Sequence, residues 1–152
     1  MDARTLELAG ALIGLGGTIT NAMDADPDFT PCRRPAGIVM GNVAALGENL
    51  PDEEYAARTE QVLALMEHVG EHHGATVAGA HDASALTAEQ EELLSALIEL
   101  TATTLPKLEA DVFSPEVNAF FYRSLATLAG DGSAVEGQLA KLASVQELAR
   151  SL

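Results

Sequence analysis

Apolar positions along the chain recur at the three- and four-residue spacings of helices, and the alternation typical of strands is never sustained. Alanine and leucine, which both favour helix, dominate the composition, whereas β-branched and aromatic residues are scarce. The sequence therefore predicts an all-α protein, a single compact bundle of about six helices. Residues 1–152 contain no internal repeat and no linker, so we expect one all-helical domain.

Start and stop signals divide the chain into six predicted helices. Thr87 with Gln90, and Ser133 with Glu136, have the spacing of capping boxes, while the proline after Ser114 suits a first helical turn. Pro106 should kink or end the fourth helix, which is apolar on more than one side and is expected at the centre of the bundle. The short link before the last helix predicts an antiparallel helical hairpin at the end of the chain. The predicted helices span about 3–22, 36–46, 52–74, 87–106 (or 87–108 if Pro106 only kinks the helix), 114–130 and 133–152.

Four glycines interrupt the first predicted helix, at positions 10, 14, 16 and 17. Each glycine in a helix interior costs up to about 1 kcal/mol relative to alanine, so a close contact should compensate. We expect a neighbouring helix to pack against the bare backbone at Gly10 and Gly14. The stretch GLGG is not a nucleotide-binding loop, because no strand precedes it and no GK[ST] follows it.

The charge of the chain is strongly negative: 8 Lys and Arg stand against 23 Asp and Glu, giving a net charge of -15. Binding to bare nucleic acid or to an anionic membrane is disfavoured, because both require a basic face. The charge favours cations or basic proteins as partners. An acidic surface with few lysines is also typical of high-salt habitats, and solubility alone explains it most simply.

The location predicted from sequence is cytoplasmic. Cys32 is the only cysteine, so no internal disulfide can form and a reducing compartment is expected. The apolar stretch 8–19 is shorter than the roughly 20 residues of a membrane span, and it follows acidic residues rather than a basic leader. Arg33 and Arg34 beside Cys32 would lower the pKa of a thiol, so a reactive cysteine stands as an alternative to an idle one.

The stretch EHVGEHHG, residues 67–74, contains the most concentrated candidate chemistry. His68 and His72 lie one helical turn apart, a spacing that lets two imidazoles share a transition metal, with Glu71 and His81 as further candidate ligands. The pattern is not HExxH and has no matching ExxH elsewhere. The alternative is a solvated helix end, where histidines interact favourably with the helix dipole and titrate near neutral pH.

Two other clusters have weaker signals. Asp24, Asp26 and Asp28 alternate as in the first half of a calcium loop, but Phe29 replaces the turn glycine and Pro35 the closing glutamate. We therefore interpret this segment as a solvated acidic loop.

The aromatic run Phe120, Phe121 and Tyr122 occupies adjacent helical positions, which cannot all face a single neighbour. Part of the run is predicted to contact a pocket or a partner, and packing between neighbouring helices is the alternative.

Three functional hypotheses follow from these observations. The first is a non-enzymatic, acidic interaction or regulatory module, expected to be a homodimer, which masks a basic protein partner. The second is a metal-binding protein or metal-dependent enzyme centred on His68 and His72. The third is a helical bundle that binds a small molecule between the glycines of the first helix and the leucine-rich fourth helix. No complete catalytic motif is present, and no cofactor other than a transition metal is suggested.

Overall fold

The computed structural model describes residues 1–29 and 33–152, with the side chain of Arg33 excluded. The all-α prediction is confirmed: the described residues form six α-helices and one short 3₁₀ helix, Ala83–Ala85, with no strand. No helix among them is both long and apolar enough to cross a membrane. The helices are α1 Ala3–Ala25, α2 Arg33–Leu46, α3 Asp52–His73, α4 Ala88–Glu109, α5 Pro115–Thr127 and α6 Val135–Ser151.

Most predicted helix boundaries agree with the structure. Gly74 ends α3 in a left-handed conformation (φ 61°), which glycine adopts without strain. Its amide donates to the Gly70 carbonyl. The capping box of α4 is formed, because Gln90 donates its amide to Thr87 Oγ1 (3.2 Å) and Thr87 donates its amide to Gln90 Oε1 (2.8 Å). Ser114 caps α5 as expected.

One boundary prediction is wrong, and one of the two alternatives in another is excluded. Pro106, which was expected to kink or end α4, does not end it, because the helix continues to Glu109. The capping box of Ser133 is not formed either, because Asp131 Oδ1 accepts the Ser133 amide at 2.9 Å and closes a turn before α6 begins at Val135. This turn lowers the pKa of the Asp131 carboxyl through the Ser133 amide, and then through the Ser133 hydroxyl.

The final hairpin is confirmed by contacts between its two helices. Gln138, in the second turn of α6, donates its side-chain amide to Ser124 Oγ near the end of α5, at 2.9 Å, and both side chains are buried. Gln90 of α4 reaches the connecting turn and donates to the Gly130 carbonyl at 3.1 Å. These buried polar side chains are hydrogen-bonded, so they hold α4, α5 and α6 together without the cost of unpaired amides.

The most enclosed helix is α1 rather than α4. Every residue from Leu8 to Gly16 is buried, and α1 packs against α2, α3 and α5. The expected central position of α4 is therefore wrong, because Glu91, Ser95 and Glu99 form an exposed stripe along it.

The glycines of α1 are explained by close backbone contact. His81 donates its amide to the Gly10 carbonyl at 3.0 Å, and Thr18 Oγ1 accepts the amide of Ala78 at 3.0 Å. The neighbour at Gly10 and Gly14 is thus the non-helical segment 75–82, rather than the expected helix. This segment occupies the space beside the two glycines in which a ligand pocket was predicted.

A helix does pack closely at the third glycine. A Cβ atom placed on Gly16 would lie 2.4 Å from the Cβ of Leu125 in α5. The prediction of close packing at the α1 glycines is confirmed, and a non-helical segment and a helix share the contacts.

The aromatic run of α5 is buried, with exposed fractions of 5% for Phe120 and 0% for Phe121 and Tyr122. Helices α1, α2, α4 and α6 all contact α5, so adjacent positions reach different neighbours. The three side chains therefore offer no exposed patch to a partner, which corrects the predicted interaction site. Packing between neighbouring helices accounts for the run.

Candidate ligand-binding cleft

A cleft of about 670 Å³ lies between the loop after α1, the start of α2 and the outer face of α3. Helical spacing explains the contribution of α3, because Gln61, Leu65, His68 and His72 follow one another at three and four residues on one face. The volume is in the range of ordinary small-molecule sites, about 300–1,000 Å³. The lining residues are Asp28, Phe29, Arg34, Pro35, Ile38, Gln61, Ala64, Leu65, His68, Val69, His72 and His73.

The wall of the cleft is largely apolar. Ile38 of α2 and Leu65 of α3 are half-buried and belong to the edge of the hydrophobic core, while Val69 of α3 is buried. Phe29, the last described residue before α2, adds an aromatic ring. An apolar wall with polar groups at one end is typical of sites for ligands that have both an apolar body and a polar group.

Three of the four histidines line this cleft. The rings of His68 and His72 are nearly parallel, with centroids 5.6 Å apart. The ring of His73 is perpendicular to that of His72, with centroids 4.8 Å apart. Phe29 and His73 make an edge-to-face contact with ring centroids 4.5 Å apart. These aromatic contacts link the end of α3 to the loop after α1.

Asp26 fixes the position of His73. Its Oδ2 atom lies 2.8 Å from Nδ1 of His73, and its Oδ1 atom accepts the Asp28 amide at 2.9 Å. The hydrogen bond from His73, followed by that from the Asp28 amide, lowers the pKa of the Asp26 carboxyl below 3.8. The last turn of α3 is therefore not wholly solvated: His68 and His72 are exposed, but His73 is anchored.

The lowered pKa of Asp26 predicts a pH dependence of stability. A carboxyl group with a depressed folded pKa contributes stability above its ordinary pKa, and this contribution disappears as pH falls through the folded value. Asp26→Asn should therefore be less stable than wild type at pH values above 3.8, and the difference should shrink as the solution is acidified below 3.8. Urea unfolding of both proteins across this range measures it, and a pH-independent difference would contradict it.

Asp24, Asp26 and Asp28 have separate side-chain partners, and Asp24 lies in the last turn of α1 rather than in the predicted loop. Asp24 forms an ion pair with Arg123 at 3.6 Å, whereas Asp26 bonds to His73 and Asp28 lines the cleft. The structure thus places them as members of different local contacts.

The predicted metal ligands are only partly brought together. His68 and His72 share the cleft, while Glu71 is exposed outside its lining and His81 packs through its backbone against Gly10. Within residues 1–29 and 33–152, no group of three or more His, Cys, Asp or Glu side chains is placed to hold a metal ion. A metal role for the His68 and His72 pair stays a prediction.

Sequence reasoning missed most of the cleft. Arg34, Phe29 and Ile38 belong to it because the chain after α1 returns towards α3, and no local pattern indicates that return. The helical stripe on α3 is the one signal that points to the site. The reactive-thiol hypothesis concerned Cys32, which lies outside the described residues.

Comparison of the chain with known protein families, with curated protein sequences and with solved structures gives no significant match.

Proposed function

We propose that the cleft binds a small organic anion that has an apolar or aromatic body. The observation that carries the proposal is that Arg34, His68, His72 and His73 all line one largely apolar cleft. A guanidinium group donates charge-assisted hydrogen bonds to carboxylate, sulfonate or phosphate groups, and imidazoles donate further ones. The apolar wall and Phe29 would hold the rest of the ligand.

The distribution of charge supports this proposal. The chain has 23 acidic residues, yet Asp28 is the one carboxylate among the described residues that line the cleft. A random part of so acidic a surface would present more carboxylates than N–H donors. Because the field of the whole molecule repels anions, short-range hydrogen bonds and apolar burial must supply the affinity.

Two fluorescent probes with the same kind of apolar body test the proposal. Anilinonaphthalene sulfonate has one sulfonate group, and phenylnaphthylamine has none. We expect the sulfonate to bind once per chain, and Arg34→Gln to weaken it about ten- to hundredfold, the equivalent of a charge-assisted hydrogen bond of about 1.5–3 kcal/mol. Affinity for phenylnaphthylamine should be unchanged in this variant, while Leu65→Gln should weaken binding of both probes.

Arg4→Gln provides the matched control, because it removes the same charge from an exposed ion pair with Glu7 on α1, outside the cleft. Its affinity for both probes should equal that of wild type. Equal sulfonate affinity in wild type and Arg34→Gln would overturn the proposal, since the cleft would then not select the negative group. An equal loss of affinity for both probes in Arg34→Gln would overturn the proposal as well.

Metal binding is the alternative function for the same residues. The near-parallel rings of His68 and His72 supply two imidazole ligands, and closed zinc sites need four. Elemental analysis of untagged protein distinguishes the two functions. If wild type contains near-stoichiometric metal and His72→Ala does not, the occupant of the cleft is a metal ion rather than an organic anion.

Binding of a basic protein by the acidic surface also remains a proposal. The first turns of α3 and α4 are rich in exposed carboxylates, including Asp52, Glu53 and Glu54 in α3 and Glu89 and Glu91 in α4. With 8 basic against 23 acidic residues, most carboxylates have no cationic side chain to pair with. A complex with a basic protein that dissociates as salt rises is the observation this function requires.

A further inference from the structure

Two glycines of α2 have no explanation among the residues that the structure describes. A Cβ atom added at Gly41 would meet none of these residues within 4 Å, and one at Gly37 would make only an ordinary contact with Leu108, at 3.8 Å. By contrast, Gly10, Gly14 and Gly16 of α1 are each in contact with another segment. A glycine inside a helix destabilises it unless close approach of another group requires the missing side chain.

The outer face of α2 has opposite charges at its two ends. Arg34 lies in the first turn of the helix and Glu48 lies in the turn two residues after its last residue, Leu46, and both side chains are exposed. Ile38 and Ala44 line the same face, three residues before and three residues after Gly41. It lines an open groove of about 790 Å³, to which Arg58 of α3 and Leu105 of α4 also contribute.

We propose that this groove is the contact between two copies of the chain, with the two α2 helices antiparallel and a two-fold axis at Gly41. In a two-fold contact, a residue k positions before the axis faces the residue k positions after it on the other copy. Arg34 of each copy then faces Glu48 of the other. The small residues at the centre let the helices approach closely.

Charge selects the antiparallel arrangement and the second copy as occupant. Parallel helices would place Arg34 against Arg34 and Glu48 against Glu48, which is repulsive at both ends. The antiparallel pair gives two attractive contacts, one at each end of the paired helices. The groove carries both signs of charge, Arg34 and Arg58 with Glu48 and Glu109, which suits a second copy of the chain better than a partner of one sign.

Charge reversal tests the arrangement. Sedimentation equilibrium should give wild type a mass of twice 15.8 kDa in the micromolar range. Glu48→Arg should weaken association at least about tenfold, since like charges then face each other at both ends. The double variant Arg34→Glu with Glu48→Arg should restore the dimer. A monomeric wild type, or a double variant that associates no better than Glu48→Arg, would overturn the proposal.

A disulfide test locates the axis. In a Cys32→Ser background, Gly41→Cys should form a covalent dimer on mild oxidation, because the two thiols meet at the axis. Gly137→Cys, on the exposed face of α6, is the matched control and should stay monomeric on the same non-reducing gel. Equal cross-linking of the two variants would contradict the axis at Gly41.

The dimer proposal and the ligand proposal can be refuted separately. Arg34 lies where the groove and the cleft meet, but Glu48 and Gly41 line the groove alone. Glu48→Arg should therefore weaken the dimer without loss of affinity for anilinonaphthalene sulfonate, which should rise if anything, because the carboxylate that faces Arg34 is gone.

Discussion

Replacing Gly10 by alanine should destabilise the fold by at least about 3 kcal/mol, at the upper end of the usual cost of overpacking. The new Cβ atom would lie 2.0 Å from the backbone oxygen of His81. Neither side can move away by a rotamer change, because the clash joins backbone to backbone. Segment 75–82 would have to leave α1 and lose the hydrogen bond from the His81 amide to the Gly10 carbonyl. Gly14→Ala should behave alike, because its Cβ would lie 2.0 Å from the Gly79 oxygen.

Gly137→Ala is the matched control for this experiment. Gly137 also lies inside a helix, but a Cβ atom there meets no described residue within 4 Å, so alanine should stabilise the protein by up to about 1 kcal/mol. Urea unfolding followed by circular dichroism measures all three variants. A Gly10→Ala protein as stable as wild type would show that segment 75–82 does not lie against α1.

Phe121→Ala should destabilise the protein by about 3–5 kcal/mol, the usual cost of removing a buried phenylalanine ring and leaving a cavity. The side chain of Phe121 is fully buried in the core cluster, on a helix that contacts four others. We expect Phe121→Ala to lower the free energy of unfolding by the same amount at every protein concentration. Urea midpoints measured over a wide range of protein concentration provide the test.

Leu63→Ala is the control for apolar truncation outside the core. Leu63 of α3 is 38% exposed, and surface substitutions of this kind usually change stability by less than about 0.5 kcal/mol. If Phe121→Ala instead kept wild-type stability and weakened self-association, the aromatic run would belong to a partner contact after all. That outcome would also displace α2 as the proposed dimer contact.

Local signals in the sequence were sufficient for the fold class and for most helix boundaries. The capping box at Thr87, the serine and proline that begin α5 and the glycine that ends α3 act within one helical turn, so neighbouring residues determine their effect. Ser133 shows the limit of this rule: a competing side chain two residues earlier, Asp131, takes the amide that the cap would need. Apolar residues on more than one side of α4 predicted a central position for this helix. The burial of a helix, however, depends on which other helices surround it.

The candidate sites depended on contacts between residues far apart in sequence. Asp26 and His73 are 47 residues apart and meet at 2.8 Å, and Arg34 joins the histidines only because the chain after α1 returns to α3. The sequence established the all-helical class, the negative charge and the helical spacing of His68 and His72. Only the tertiary structure decided that these histidines line an apolar cleft, that the aromatic run is core, and that Gly41 is bare, because nothing in a local pattern specifies which segments pack together.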